Sequence, residues 1–224
     1  GIGSTGDSDL DVSLTTALSA VNNGISGNIV ITRAAAAGGM TLDAAQSSPL
    51  GSGSVIVTVL GGTLTVASSG VTVAGSGSIL IDASAGNVTA NADIVSGAGH
   101  ITIKADDDII LTAGVDVQTA SAGTISVDAE TGVLTMSGTA NVTATGSSVR
   151  LRSQGDITVG NVTATNVSID SDSGSIINAV GTTKNITAAN LRLQASGSIG
   201  ASARHFTTNI DFITGLASNG SIYV

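Results

Sequence analysis

The sequence predicts an all-β fold: a parallel, right-handed, three-faced β-helix (a β-solenoid) of about 23 residues per coil and eight to nine coils. Residues 1–224 read as a single solenoid segment. Three observations predict it. Short aliphatic-x-aliphatic triplets recur along the chain at a near-constant step. Gly, Asn, Asp and Ser, which turn a chain sharply, lie between them. The composition suits a narrow stacked interior: among 224 residues there are 30 Gly, one Pro, no Cys, two Phe, one Tyr and no Trp. Hydrophobic residues are 42% and charged residues only 10%, where an ordinary globular domain carries about 25% charged. So few rings speak against an enzyme domain with an aromatic-lined pocket. The β-branched content speaks against disorder.

The triplets justify the first face. They are Ile29-Val30-Ile31, Val55-Ile56-Val57, Ile79-Leu80-Ile81, Ile101-Thr102-Ile103, Ile125-Ser126-Val127, Val149-Arg150-Leu151, Val167-Ser168-Ile169 and Leu191-Arg192-Leu193. Their starts step by 26, 24, 22, 24, 24, 18 and 24 residues. The outer positions are always aliphatic and the middle one drifts to polar, so the outer pair faces a core and the middle residue faces out.

A second apolar start follows each triplet, at Met40, Leu64, Val88, Ile109, Val133, Ile157, Ile176 and Ile199. A third follows in most periods, at Val71, Ile94, Val115, Val142, Val162 and Ile186. Three strands and three turns per period describe one coil of a parallel β-helix. Pro49 and the 26-residue step imply a lengthened turn, and the 18-residue step implies a trimmed turn or a missing third strand.

The stretch from Leu10 to Val21 fits a helical face through Leu10, Leu14, Leu18 and Val21, or a strand through Leu10, Val12 and Leu14. A coil segment is preferred, because its match at Phe206–Leu216 falls within the rhythm. Residues 1–28 and 199–224 resemble each other. Ile2-Gly3-Ser4 matches Ile199-Gly200-Ala201, and Ile29 aligns with Ile222. The chain therefore reads as one unit of a longer tandem or fibre. It opens on Gly1 rather than Met, as a processed product or a piece of a longer protein would. The bare strand Ile222-Tyr223-Val224 is an aggregation hazard unless covered. Head-to-tail stacking through Ile2, Ile222, Tyr223 and Val224 is the expected cover, by copies of the chain or by further coils of the same one.

The runs Asp156–Ala164 (Asp-Ile-Thr-Val-Gly-Asn-Val-Thr-Ala), Ser173-Gly174-Ser175-Ile176 and Leu191–Gly200 resemble the repeat regions of large bacterial surface β-solenoid proteins of the filamentous-haemagglutinin-like adhesin type. The resemblance covers nearly the whole chain. It implies an extracellular, cell-surface protein in which the solenoid serves as a stalk or contact surface. It also implies that host or community surface glycans are possible partners.

The residues offer little chemistry. Net charge is −9, and Glu130 is the only Glu among sixteen acids. An acidic surface poor in aromatics is a poor nucleic-acid binder. No apolar run approaches the roughly 18 residues that span a bilayer. His100 and His205 stand without Cys or Glu at ligand spacing. Asp106, Asp107 and Asp108, with Asp170 and Asp172, are weak calcium candidates, since a calcium loop needs six to eight oxygens. No other cofactor is expected. Arg150, Arg152 and Arg192 suggest a small cationic patch without an acid–base partner set, so no enzyme is expected. A polysaccharide-active β-helix enzyme is the less favoured alternative, as is an ice-binding array built on Thr41, Thr65, Thr89 and Thr158 with Thr72, Thr143, Thr163 and Thr187. The latter is interrupted by Ile110, Leu134 and Asp116. Six Asn-x-Ser/Thr triplets, at Asn87, Asn141, Asn161, Asn166, Asn185 and Asn219, read as turn asparagines before strand starts. Val30, Ile56 and Leu80 would form an exposed aliphatic strip, and such strips mark partner surfaces. Lateral packing is the expectation there.

Overall fold

The computed structural model describes residues 10–12, 17–24, 27–35, 38–47, 52–181 and 183–224. It is an all-β solenoid of about eight turns, with coils of about 24 residues and no α-helix among the described residues. Every pairing between named strands is parallel and joins one coil to the next. A single coil cannot bury its own apolar side, so stacking supplies both the core and the hydrogen-bond ladder.

The first face is built from Ile29–Arg33, Val55–Val59, Ile79–Ala83, Ile101–Ala105 and Ile125–Ala129. The later halves of Asn141–Ser153, Asn161–Ser171, Ile186–Ala195 and Thr208–Ala217 continue it. Its register joins all eight triplets in order, Ile29 to Val55 to Ile79 to Ile101 to Ile125 to Val149 to Val167 to Leu191, and adds Ile213. Both outer residues are inside in each of the eight triplets, and the middle residue is the more exposed in all but the first, where Val30 is buried as well. Like side chains thus stack on like, which is favourable on a pleated surface.

The second face runs through Met40, Leu64, Val88, Ile109, Leu134, Ile157 and Ile176, and isolated bridges carry it on to Ile199 and Ile222. The third runs through Val71, Ile94, Val117, Val142, Val162 and Ile186. Two starts therefore differ from the sequence expectation, Leu134 standing one residue after Val133 and Val117 two residues after Val115. Leu134 and Met136 turn inward instead of Val133 and Thr135, because they remove more apolar surface from water. Val133 becomes a corner residue whose N–H donates to Asp108 Oδ1 at 2.8 Å. Val115 is buried at a corner, and the strand Asp116–Thr119 begins after it. Leu134 consequently does not interrupt the outward threonines of the second face; Thr135 stands in that row beside Thr158.

The 18-residue coil keeps all three faces. Its turns are trimmed instead: Gly160 alone separates Val159 from Asn161, and Thr165 alone separates Ala164 from Asn166. A Cβ at Gly160 would lie 2.4 Å from the Ser137 carbonyl oxygen, so only glycine fits so tight a corner. Gly70 makes the equivalent bend inside Leu64–Val73, with φ at 69° and no room for a side chain beside the Asp93 carbonyl.

The segments Leu10–Val12 and Leu18–Asn22 are strands, paired with Ile29–Arg33 and Met40–Ser47, which favours the coil over the helix for that stretch. Ile222 stands on the second face and Ile29 on the first, so the alignment of these two ends joins positions on different faces. Ile2 and Pro49 lie outside the described residues. Arg33 ends the first-face strand pointing inward, fully buried, and its Nε donates to the Gly38 carbonyl at 2.9 Å.

Candidate functional site

Polar ladders run along the corners of the solenoid. Each corner side chain accepts the backbone N–H of the residue one coil on, a donor that neither flanking strand uses. At the turn into the first face, Asn28 Oδ1 accepts from Ser54 N, Ser54 Oγ from Ser78 N, Ser78 Oγ from His100 N, and His100 Nδ1 from Thr124 N. His100 is thus one rung of a structural ladder. The turn into the second face uses Asn87, Asp108, Asp156, Ser175 and Ser198 in the same way. Of the six asparagines in Asn-x-Ser/Thr triplets, five immediately precede or begin a strand run, as the turn reading requires. Asn219 lies in the turn before Ile222 and donates to Ser196 Oγ.

The corner from the third face to the first changes along the rod. In the upper coils it is a loop held from inside by buried hydroxyls. Ser96 Oγ donates to the Gly77 carbonyl and accepts from Gly99 N, and Thr119 Oγ1 donates to the Gly99 carbonyl at 2.7 Å. The inward position is alanine from Ala144 on, and from Thr165 on the corner is a single residue, with Ala164 and then Ala188 inside it.

A groove of about 390 Å³ lies there on the outside of the first face. It is lined by Ser148, Asn166, Asn190, Phe212, Arg150, Ser168, Arg192 and Thr214, together with Val149, Val167 and Leu191, which are themselves buried. Asn190 Nδ2 donates to Asn166 Oδ1 at 2.8 Å, and Asn166 Nδ2 to Ser148 Oγ at 3.3 Å. The next rung is Phe212, which pairs in register with Asn190 and is 72% exposed. The sequence places Phe212 only within the stretch Phe206–Leu216 that matches Leu10–Val21. The signal available was the column Ser148, Asn166, Asn190, Phe212, always one residue before an inward aliphatic.

The arginines are held by carboxylates on neighbouring coils. Asp128 receives Arg150 at 3.4 Å and Arg152 at 3.2 Å; Asp172 receives Arg152 at 2.5 Å, and Asp170 receives Arg192 at 3.5 Å. The expected cationic patch is therefore charge-compensated. The hydrogen bond from Arg152 to Asp172 raises the pKa of its guanidinium, against some desolvation. Lys104 pairs with Glu130 at 2.8 Å, and this hydrogen bond raises its pKa.

Among the calcium candidates, Asp170 and Asp172 face these arginines. Asp108 accepts a backbone N–H, and Asp107 Oδ1 accepts from Thr131 Oγ1. Thr131 Oγ1 also donates to the Asp106 carbonyl. Val30, Ile56 and Leu80 stack on successive coils as expected, but Val30 is only 6% exposed, whereas Ile56 and Leu80 are half-buried. At the other end Ile222, Tyr223 and Val224 are exposed, and Phe206 is buried in the core. Phe206 N donates to the Tyr223 carbonyl at 3.0 Å, and Tyr223 N to the Ile199 carbonyl at 2.8 Å.

No protein-family model matches the chain, and no curated protein or solved structure matches it.

Proposed function

We propose that the chain is a structural β-solenoid segment or subunit of an extracellular bacterial surface fibre or adhesin, extended by head-to-tail stacking of coils. The observation that carries this reading is the last strand, Thr208–Ala217. It pairs with Ile186–Ala195 on one side, and no other described strand pairs with it. Its row of backbone groups is open, and its side chains Phe212, Ile213 and Leu216 are exposed. An open parallel edge is a template for a further strand, and covering it would bury this apolar surface. The resemblance of the repeats to filamentous-haemagglutinin-like adhesins supports the surface location. In this reading the role is mechanical, with no catalysis and no cofactor. Continuous ladders and stacked aliphatics make a stiff rod.

Electron microscopy of the native material tests this. The expected result is unbranched filaments with a coil spacing of about 4.8 Å along the axis. Compact monomers at every concentration, with no longer chain containing the segment, would overturn the fibre reading. Labelling of intact cells with an antibody to the segment tests location; labelling only after lysis would overturn it.

A further inference from the structure

We infer that the second face binds ice through its outward row, which runs from Thr41 through Thr65, Thr89, Ile110, Thr135 and Thr158 to Ile177. Parallel pairing keeps the row in register, coil by coil. Neighbouring strands lie about 4.8 Å apart, so the six steps span about 29 Å. That step is close to the repeat between water molecules along the a axis of hexagonal ice. A surface with this repeat holds water in an ice-like arrangement before a crystal touches it.

The structure removes two of the three interruptions that the sequence suggested. Leu134 is buried, and Thr135 takes the outward place. Asp116 pairs with Asn141 and stands in neither row of threonines. Ile110 remains, together with Ile177, and each keeps the γ-methyl branch that threonine has at the same place. The third face is the poorer template, because its row passes from Thr72 through Val95 and Gln118 before it reaches Thr143.

Two further observations point to water as the ligand. First, the hydroxyls of the row are unused. Corner threonines bond within the solenoid: Thr112 Oγ1 donates to the Ala90 carbonyl at 3.0 Å, and Thr131 Oγ1 to the Asp106 carbonyl at 2.7 Å. The hydroxyls of the five row threonines bond to no group among the described residues. They are left to water, while the methyl beside each one limits where that water sits. Branching at Cβ stiffens χ1, so few hydroxyl orientations are open.

Second, the face is flat and free of long charged side chains. No Lys, Arg, Glu or aromatic residue lies within two positions of any member of the row. The acids that do, Asp43, Asp108 and Asp156, accept from Ser19 Oγ, Val133 N and Ser175 N. The ion pairs lie on the first face and the corner beyond it. Asp108 and Asp156 also belong to the ladder that pins each coil to the next, so the template is set before ice arrives and loses little entropy on binding. The row faces sideways from the rod and includes no residue of Thr208–Ala217, so further coils leave it open. The inference does not rest on the fibre reading, and filament images neither support nor remove it.

The test measures thermal hysteresis of the full chain and its uptake into a slowly growing ice hemisphere, with serum albumin as the inert control. The chain is expected to open a gap between melting and freezing points, to facet ice crystals and to enter the ice that excludes albumin. Thr65→Tyr and Thr135→Tyr raise rings above the flat face. Each is expected to narrow the gap several-fold, and the double variant to lose it. Thr163→Tyr, outward on the third face, is expected to leave the gap unchanged. Far-UV circular dichroism in the cold checks that the variants keep the fold, and uptake of the unaltered chain decides without any variant. Exclusion of the chain from ice as complete as that of albumin would overturn the proposal. So would an unchanged gap in the folded double variant, or a loss in Thr163→Tyr as large as in the row variants.

Discussion

Two halves of the first face share one interior and carry different exteriors. In the upper coils the outward row is Val30, Ile56 and Leu80, flanked by Thr32 and Thr58. In the lower coils the same row is Arg150, Ser168, Arg192 and Thr214, flanked by Arg152 and Asp170. The inward positions hardly change, from Ile29 and Ile31 above to Leu191 and Leu193 below. The third-face corner changes with the exterior, from loops tied by Ser96 and Thr119 to the single residues Thr165 and Ala189. In a solenoid the core constrains alternate residues and leaves the others free. One rod can then carry an apolar strip, an ionic belt and a groove in succession.

The largest expected effect breaks what the halves share. Ile103→Ala removes a fully buried residue between Ile81 and Val127 and should cost about 2–5 kcal/mol in denaturant unfolding. The neighbouring outward change Thr102→Ala should stay within about 0.5 kcal/mol. Equal effects of the two would contradict the inward–outward assignment.

A smaller effect sharpens the corner difference. Ser96→Ala leaves the Gly77 carbonyl and the Gly99 N–H without their buried hydroxyl partner. It should cost about 1–3 kcal/mol and speed hydrogen exchange at Gly99. Ala164→Ser, at the same strand position where the corner is the single residue Thr165, should bring no gain, since the hydroxyl finds no matching loop. A gain there would mean that the trimmed corner still offers the hydroxyl a partner.

The smallest effect concerns the charged half. Lys104 has its pKa raised by Glu130. A raised folded-state value gives stability that is fully present below the ordinary lysine value of about 10.4 and lost as pH rises through the folded one. Both side chains are 42% exposed, so solvent screens the pair. Glu130→Gln should therefore lower stability by less than about 0.5 kcal/mol at neutral pH, with the difference vanishing at strongly alkaline pH. A difference that grows with pH would contradict the pairing.

The fold was legible because its signal is redundant. Eight triplets repeat one pattern, and a slip by one residue in any of them would turn its aliphatics to water. The misplaced starts show where redundancy ends. Val133 and Leu134 stand at opposite parities and both are apolar, while Val115 and Val117 share one parity, so alternation alone does not choose within either pair. Packing chose Leu134 and Val117 through the strands on either side. The groove was illegible for a different reason. Its members lie 18 to 24 residues apart, and none is unusual in its local sequence.

By itself, then, the sequence determined the period, the three faces and the aliphatic interior, because each follows from local alternation repeated many times. The tertiary structure decided what depends on exact stacking. It matched Arg150, Arg152 and Arg192 with carboxylates one coil away. It buried Arg33 and Phe206. It also set Phe212 at the end of an asparagine ladder. A coil shortened by a few residues keeps its place in the core while shifting every outward neighbour, so side chains on adjacent coils meet only once the lengths of all the turns between them are fixed.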